Sequence, residues 1–420
     1  MDDARVFQEA VASDGGRLDT AELPPATAKS YEHLATRARG FLKSAQAALP
    51  WMPPIYFDFI DDWKFNAIAF KRNEQYFIGV NRGAVATLLV LFDRILADRR
   101  ILTFIGDPQL EAEALPLLPN LGASFENTVA SVREFSPPRD SSRRSTSNKL
   151  VEFAMDFLTG HEFAHVANGH VDHMLRTQGV SIVDELGAND GSPLSSESAL
   201  ASQAKEMDAD NTATLISLGC EWGRISGDLL RPGYPWTEFY SYPGRVSFLW
   251  SFAVSSLCRI FGDTRLTHED PMLDSHPPWR LRSVMVQLAT GRVPRPDGLK
   301  THSTLVGDRV HRIPWGIRAA HLEVEKAFSF LTGRPQGTRG LDEAWGDVGQ
   351  SEIDRLRGYW RKKLSKELQV FAYQPLATYG QVFYAEGALA EKEPDVRPSP
   401  RTIESCPGAT ERLTSRTESS

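Results

Sequence analysis

The chain has 420 residues, 47 Lys+Arg against 54 Asp+Glu, and a net charge of −7, with 41% hydrophobic and 24% charged residues. These proportions suit a globular protein with a sizeable core and exclude disorder for the bulk of the chain. The acidic balance gives no general attraction for phosphate backbones, so nucleic acid is not an expected partner. Cys220, Cys258 and Cys406 are too few and too scattered for a disulfide framework or a thiolate zinc knuckle.

Residues 1–28 are polar, with Gly15-Gly16 and Pro24-Pro25, and read as a flexible N-terminus. Leu34, Ala38, Phe41, Leu42 and Ala45 recur at helical spacing and predict a helix over Lys29–Ala48. The period then changes. Ile55–Ile60, Phe65–Phe70 and Tyr76–Val80 are short aromatic and β-branched runs that predict a small antiparallel meander, with a buried helix over Ala84–Leu96 after it. Residues Ser136–Asn148 form a polar loop by composition. Further helices are predicted over Leu150–Asn168, Ala199–Leu218, Val246–Phe261, Trp279–Ala289, 315–331 and 351–369, and a disordered tail over 391–420. The longest apolar runs, Ala84–Phe92 and Val246–Cys258, fall short of the roughly 20 residues a membrane span requires. With no basic-then-apolar leader at Met1–Arg5, a cytoplasmic protein without membrane insertion is expected.

Gly160-His161-Glu162-Phe163-Ala164-His165 contains H-E-x-x-H inside a predicted helix. Residues four apart lie one turn apart on the same face, so two imidazoles can share one zinc ion while Glu162 projects beside them as a base for the bound water. Polar groups on so apolar a helix would be buried and would need partners. The bland alternative is a pair of satisfied core histidines. A third ligand is required. His170 falls about 180° round a continuing helix from His161, and His173 could return only through an irregular turn, so neither is a good candidate. On the next helix Glu206 and Asp210 share a face at four-residue spacing. Glu206 can complete the site, with Asp210 accepting from a ligand imidazole N–H, and small Ala209 lets the two helices approach. Standing alone, this stretch would read as a solvated acidic face.

The order His161-Glu162-x-x-His165, then Glu206-x-x-Ala209-Asp210, then Ser275-His276-Pro277-Pro278 with Arg282, resembles the gluzincin metallopeptidases of the HtpX and CAAX-prenyl-peptidase family. Asn66-Ala67-Ile68-Ala69-Phe70 and Ile78–Gly83 resemble that family's N-A-F-A strand and the strand-glycine-helix after it. The soluble Lit-type phage-exclusion peptidases look similar too, and suit a chain without membrane spans. The resemblance covers roughly residues 55–290. It implies zinc ligands His161, His165 and Glu206, Glu162 as general base, and His276 near the reacting carbonyl. It also implies an edge strand at Asn66–Ala69 on which an extended protein or peptide substrate pairs. Tyr240 and Tyr242 are alternative oxyanion donors, and Arg282 is placed to pair with Asp210 or a backbone carbonyl.

The expected fold is α+β: a mostly helical, zincin-like peptidase domain over 29–295 with a small antiparallel sheet, then a helical region of unknown role over 296–390. In that last region Trp315, Trp345, Tyr359 and Trp360 read as core or docking surface. The expected function is a zinc-dependent endopeptidase. Two alternatives stand beside it: a defence or toxin peptidase gated by a trigger, with the polar stretches 136–148 and 187–198 as places for the gate, and a zinc-stapled regulatory protein with little hydrolysis.

Overall fold

The structure, a computed structural model, describes residues 2–113, 115–117, 137–179, 182–184, 195–228, 243–260, 277–290, 293, 312–334 and 344–376. The segment 391–420 lies outside the described residues. Residues 1–28 are not the flexible arm expected from their composition. Asp2 caps a helix α1 (Asp3–Ala10), and the fully buried Phe7 of that helix packs on Phe70 and Phe77 of the sheet. Gly15 and Gly16, at φ +93° and +83°, then turn the chain so that Leu18 N donates to Phe59 O and Asp61 N to Gly16 O. Helix α2 (Pro25–Ala47) starts with proline in its first turn and buries Tyr31, Leu34, Ala38, Phe41 and Leu42.

The strands β1 (Ile55–Ile60), β2 (Ala67–Arg72) and β3 (Gln75–Asn81) form where the aromatic runs predict them, but not as an antiparallel meander. β2 and β3 make a hairpin across Asn73-Glu74, both at positive φ, whereas β1 lies parallel to β3 on its other side. The physical reason is burial. From Tyr76 to Asn81 every residue of β3 is buried, which suits the centre of a sheet, and Gly79 leaves room for Ile60 and Ile68 from its two neighbours.

Helix α3 (Arg82–Leu96) follows directly. Its Gly83 lies so close to the Trp63 carbonyl that a Cβ there would sit 2.0 Å away. Helix α4 (Ser141–Ala167) begins inside the stretch expected to be a loop, so 141–148 is helical. Asp140 caps it by accepting from Arg143 N, and Arg143 is fully buried, donating to the carbonyls of Leu96, Asp98, Ile101, Leu102 and Ile105. Polar composition is here satisfied by backbone carbonyls rather than water.

Next come α5 (His170–Gln178), a three-residue β4 (Ile182–Asp184) and α6 (Ser196–Asp228), which starts within the second stretch read as polar loop. They are followed by α7 (Pro243–Ile260), α8 (Trp279–Thr290), α9 (Arg312–Thr332) and α10 (Asp347–Tyr359). One wide turn, Trp360–Leu364, carries the last of these on to Leu368. β4 pairs antiparallel with β2, giving a mixed four-stranded sheet in the order β1-β3-β2-β4.

The architecture is α+β and mostly helical. α4 runs through the main core, and every side chain from Phe153 to His170 is buried. A second apolar cluster joins Ala204 and Met207 of α6 to Leu281, Val284 and Met285 of α8 and to Ile353, Leu356 and Trp360. Trp360 is thus core, whereas Trp345 is partly exposed. A charged cluster ties α2, α4 and α6 together: Arg37 donates to Asp156 at 2.6 and 2.9 Å and to Glu221 at 2.6 Å. Among the described residues no helix is long and apolar enough to cross a membrane.

Candidate metal centre

α4 and α6 cross at Gly160, where a Cβ would meet Phe41 at 3.2 Å and the Ala213 backbone at 3.4 Å. That close approach, with Ala209 fully buried, brings the polar faces of the two helices together. His161 Nε2 lies 3.1 Å from Glu206 Oε2, His165 Nε2 lies 3.5 Å from Glu206 Oε1, and the two Nε2 atoms are 2.9 Å apart. One ligand atom from each residue falls within 4.8 Å of the others. Four-coordinate zinc with bonds of about 2.0–2.1 Å places its ligand atoms about 3.3 Å apart, so these spacings fit a metal. The donor set of two imidazoles and a carboxylate suits zinc and admits other divalent ions. His161, Glu162, His165 and Glu206 are at most 3% exposed.

The tautomer of His161 follows from its other partner. Asp210 Oδ1 lies 3.0 Å from His161 Nδ1, and Arg282 grips both oxygens of Asp210 at 2.9 Å. Burial by itself would raise the Asp210 pKa, but Arg282 and the hydrogen bond from His161 hold it below the usual carboxylate range. An ionised carboxylate only accepts, so His161 carries a proton on Nδ1, which leaves Nε2, facing Glu206, as the atom that can offer a lone pair to a metal. Arg282, on α8, makes the pairing with Asp210 anticipated from the sequence.

His170 does not face away. α4 stops at Ala167, and Gly169 at φ +79° reverses the chain before α5, which brings His170 Nδ1 to 2.9 Å from His165 Nδ1. The expectation of a continuing helix fails at this turn, for which the Asn168-Gly169 pair was the available signal. Burial holds the His170 pKa below the ordinary histidine value, against the opposing pull of Asp208; a neutral imidazole has one nitrogen to donate and one to accept. Its Nε2 faces Asp208 Oδ2 at 3.2 Å, off the line of an ideal hydrogen bond. Asn168 Nδ2 donates to the same oxygen at 2.5 Å and to Thr212 Oγ1 at 3.0 Å, while Gln374 Nε2 donates to Asn168 Oδ1. His173 instead faces Glu367 at 3.5 Å. The sequence reading missed His170, Asp208 and Asn168, as well as the segment Phe371–Gln374 that lies over Gly169.

Of the edge that the resemblance implies at Asn66–Ala69, Ile68 and Ala69 are covered. β4 pairs with β2 at Ile68, Ala69 and Phe70, and Asn66 O accepts from Asn81 N. The correction has a simple cause: three residues following α5 take up the outer hydrogen-bonding row of β2. His276, Tyr240 and Tyr242 lie outside the described residues. Comparison of the chain with protein-family models, with curated proteins and with solved structures finds no match.

Proposed function

We propose that this protein is a zinc-dependent endopeptidase of gluzincin type. The observation that carries the reading is the convergence of His161, His165 and Glu206 on one buried point, with Glu162 next to the first ligand on the same helix. When bound, zinc lowers the pKa of a water toward about 7 and polarises a carbonyl. Glu162 would take a proton from the attacking water and deliver it to the leaving amine. Asp210, neutralised by Arg282, keeps the His161 proton on Nδ1 and so keeps Nε2 available throughout. His276 is the side chain proposed to steady the developing oxyanion, with Tyr240 and Tyr242 as the alternatives to be compared by mutation.

The burial of all four residues favours a second form of the same reading, a peptidase that stays silent until a partner or signal opens the site. Silence toward casein in a zinc-loaded sample would support it. A purely structural, zinc-stapled protein has no use for a base beside its ligands, and Glu162 weighs against that third reading.

The test begins with zinc per chain by elemental analysis of wild type and Glu206→Ala. Near-stoichiometric zinc in wild type and a sharp fall in the variant are expected. Glu162→Gln should keep its zinc while cleavage of proteome-derived peptides falls by about 10²- to 10⁴-fold. Wild type that takes up no zinc, even after refolding with the metal, would overturn the proposal.

A further inference from the structure

We propose that His170 is a positioning residue that fixes the tautomer and ring orientation of His165, with Asp208 and Asn168 holding His170 in turn; this rests on the metal-site reading above. With both ligand Nε2 atoms turned to a metal, the Nδ1 atoms of His165 and His170, 2.9 Å apart, share a single proton, so one of them is N–H and the other a lone pair. If His165 uses Nε2 for the metal, its proton is on Nδ1. His170 Nδ1 must then be the acceptor, and the remaining His170 proton is on Nε2, the atom that faces Asp208. Asp208 Oδ2 also receives Asn168 Nδ2, and Asn168 is itself gripped by Gln374. His165 then donates outward to His170, whose Nε2–H faces Asp208, while Asn168 and Gln374 donate inward, so the two runs of donors converge on the Asp208 carboxylate.

The ring of His170 has little freedom. It is fully buried and meets Trp360 edge-on, with centroids 6.5 Å apart and planes at 80°. Gly169 makes the reversal that puts it there, and the Phe371 side chain and backbone fill the space a Cβ at Gly169 would need. The two histidine ligands consequently have unequal supports: a carboxylate behind His161 and an imidazole behind His165. The carboxylate makes its imidazole the more basic ligand, which leaves His165 the one more dependent on being held in place.

Zinc affinity of the full chain, measured by competition with a chromophoric chelator, tests this with two substitutions. His170→Leu removes the acceptor and keeps an apolar filling against Trp360; it should weaken zinc about 10- to 100-fold. His170→Asn puts an oxygen near the old Nδ1 position and should recover most of that loss. If His170 only packs, the order reverses, with Leu retaining zinc and Asn losing it, and that result overturns the proposal. Should His170→Leu fail to fold, the wild type decides alone. In ¹⁵N spectra of histidine-labelled, zinc-loaded protein, His170 should carry its proton on Nε2, and a proton on Nδ1 overturns the assignment. Wild type that binds no zinc would overturn the metal site and this inference with it. Normal wild-type binding with unchanged affinity in His170→Leu would overturn this inference alone.

Discussion

His321 shows what a buried polar side chain costs when, among the described residues, no charge partner sets its state. It is fully buried on α9, with Ser255 Oγ of α7 and Gln287 Nε2 of α8 each 2.6 Å from its Nε2, and it forms a polar joint among three helices. Burial pushes its pKa from the ordinary 6.5 down to about 3. Between those two values the unfolded chain binds a proton that the folded chain refuses. Stability from this residue is therefore complete above pH 6.5 and is lost as pH falls toward 3, by about 1.4 kcal/mol per pH unit. Urea titrations from pH 7 to 4 should show that slope reduced by this amount in His321→Gln. An identical slope in the two proteins would mean that His321 is protonated in the folded state. Asp210 is the opposite case, since Arg282 supplies the charge that makes its burial tolerable.

At the scale of elements, the junction between α4 and α5 decides how the site is assembled. Gly169 combines a left-handed backbone with contact against Phe371, where an added Cβ would sit 2.6 Å from the Phe371 Cβ and 2.7 Å from its carbonyl carbon. Gly169→Ala should thus destabilise the protein by at least about 2 kcal/mol, from backbone strain plus the displaced segment. Chemical denaturation of the metal-free protein measures it, and a loss below half that figure would show that Phe371 moves aside freely. Local signals were sufficient for α4 and α6. The four-residue spacings of His161 and His165 and of Glu206 and Asp210 need only a helix to become faces, and both runs are helical. The order of the sheet was not legible, because no strand's own residues say whether β1 pairs with β2 or crosses to β3. Nor was the Gln374–Asn168 contact, whose partners stand 206 residues apart with no periodicity linking them. The helical start at Ser141 was hidden for a related reason. The carbonyls that accept from Arg143 come from the end of α3 and the loop after it, about forty residues earlier, so its burial leaves no mark on the local composition.

On the scale of the whole molecule, α6 stands between the two apolar clusters. Met207 belongs to the second cluster, Ala213 and Leu218 to the first, and Glu206 and Asp210 turn toward α4 between them. Helices from both clusters therefore meet at the candidate metal, which would act as a rivet between them. The near-complete burial of that point also has a consequence in time. An ion held there would be reached by a chelator, as by a peptide, only when the site opens, at the frequency of that opening. Zinc release into excess chelator should accordingly proceed at a rate that does not change with chelator concentration and that matches amide exchange in α4. A rate proportional to chelator would reveal an open path to the ligands. Brief dialysis against a chelator would then leave the metal in place, and activity surviving such treatment would record slow breathing of the fold rather than independence from zinc.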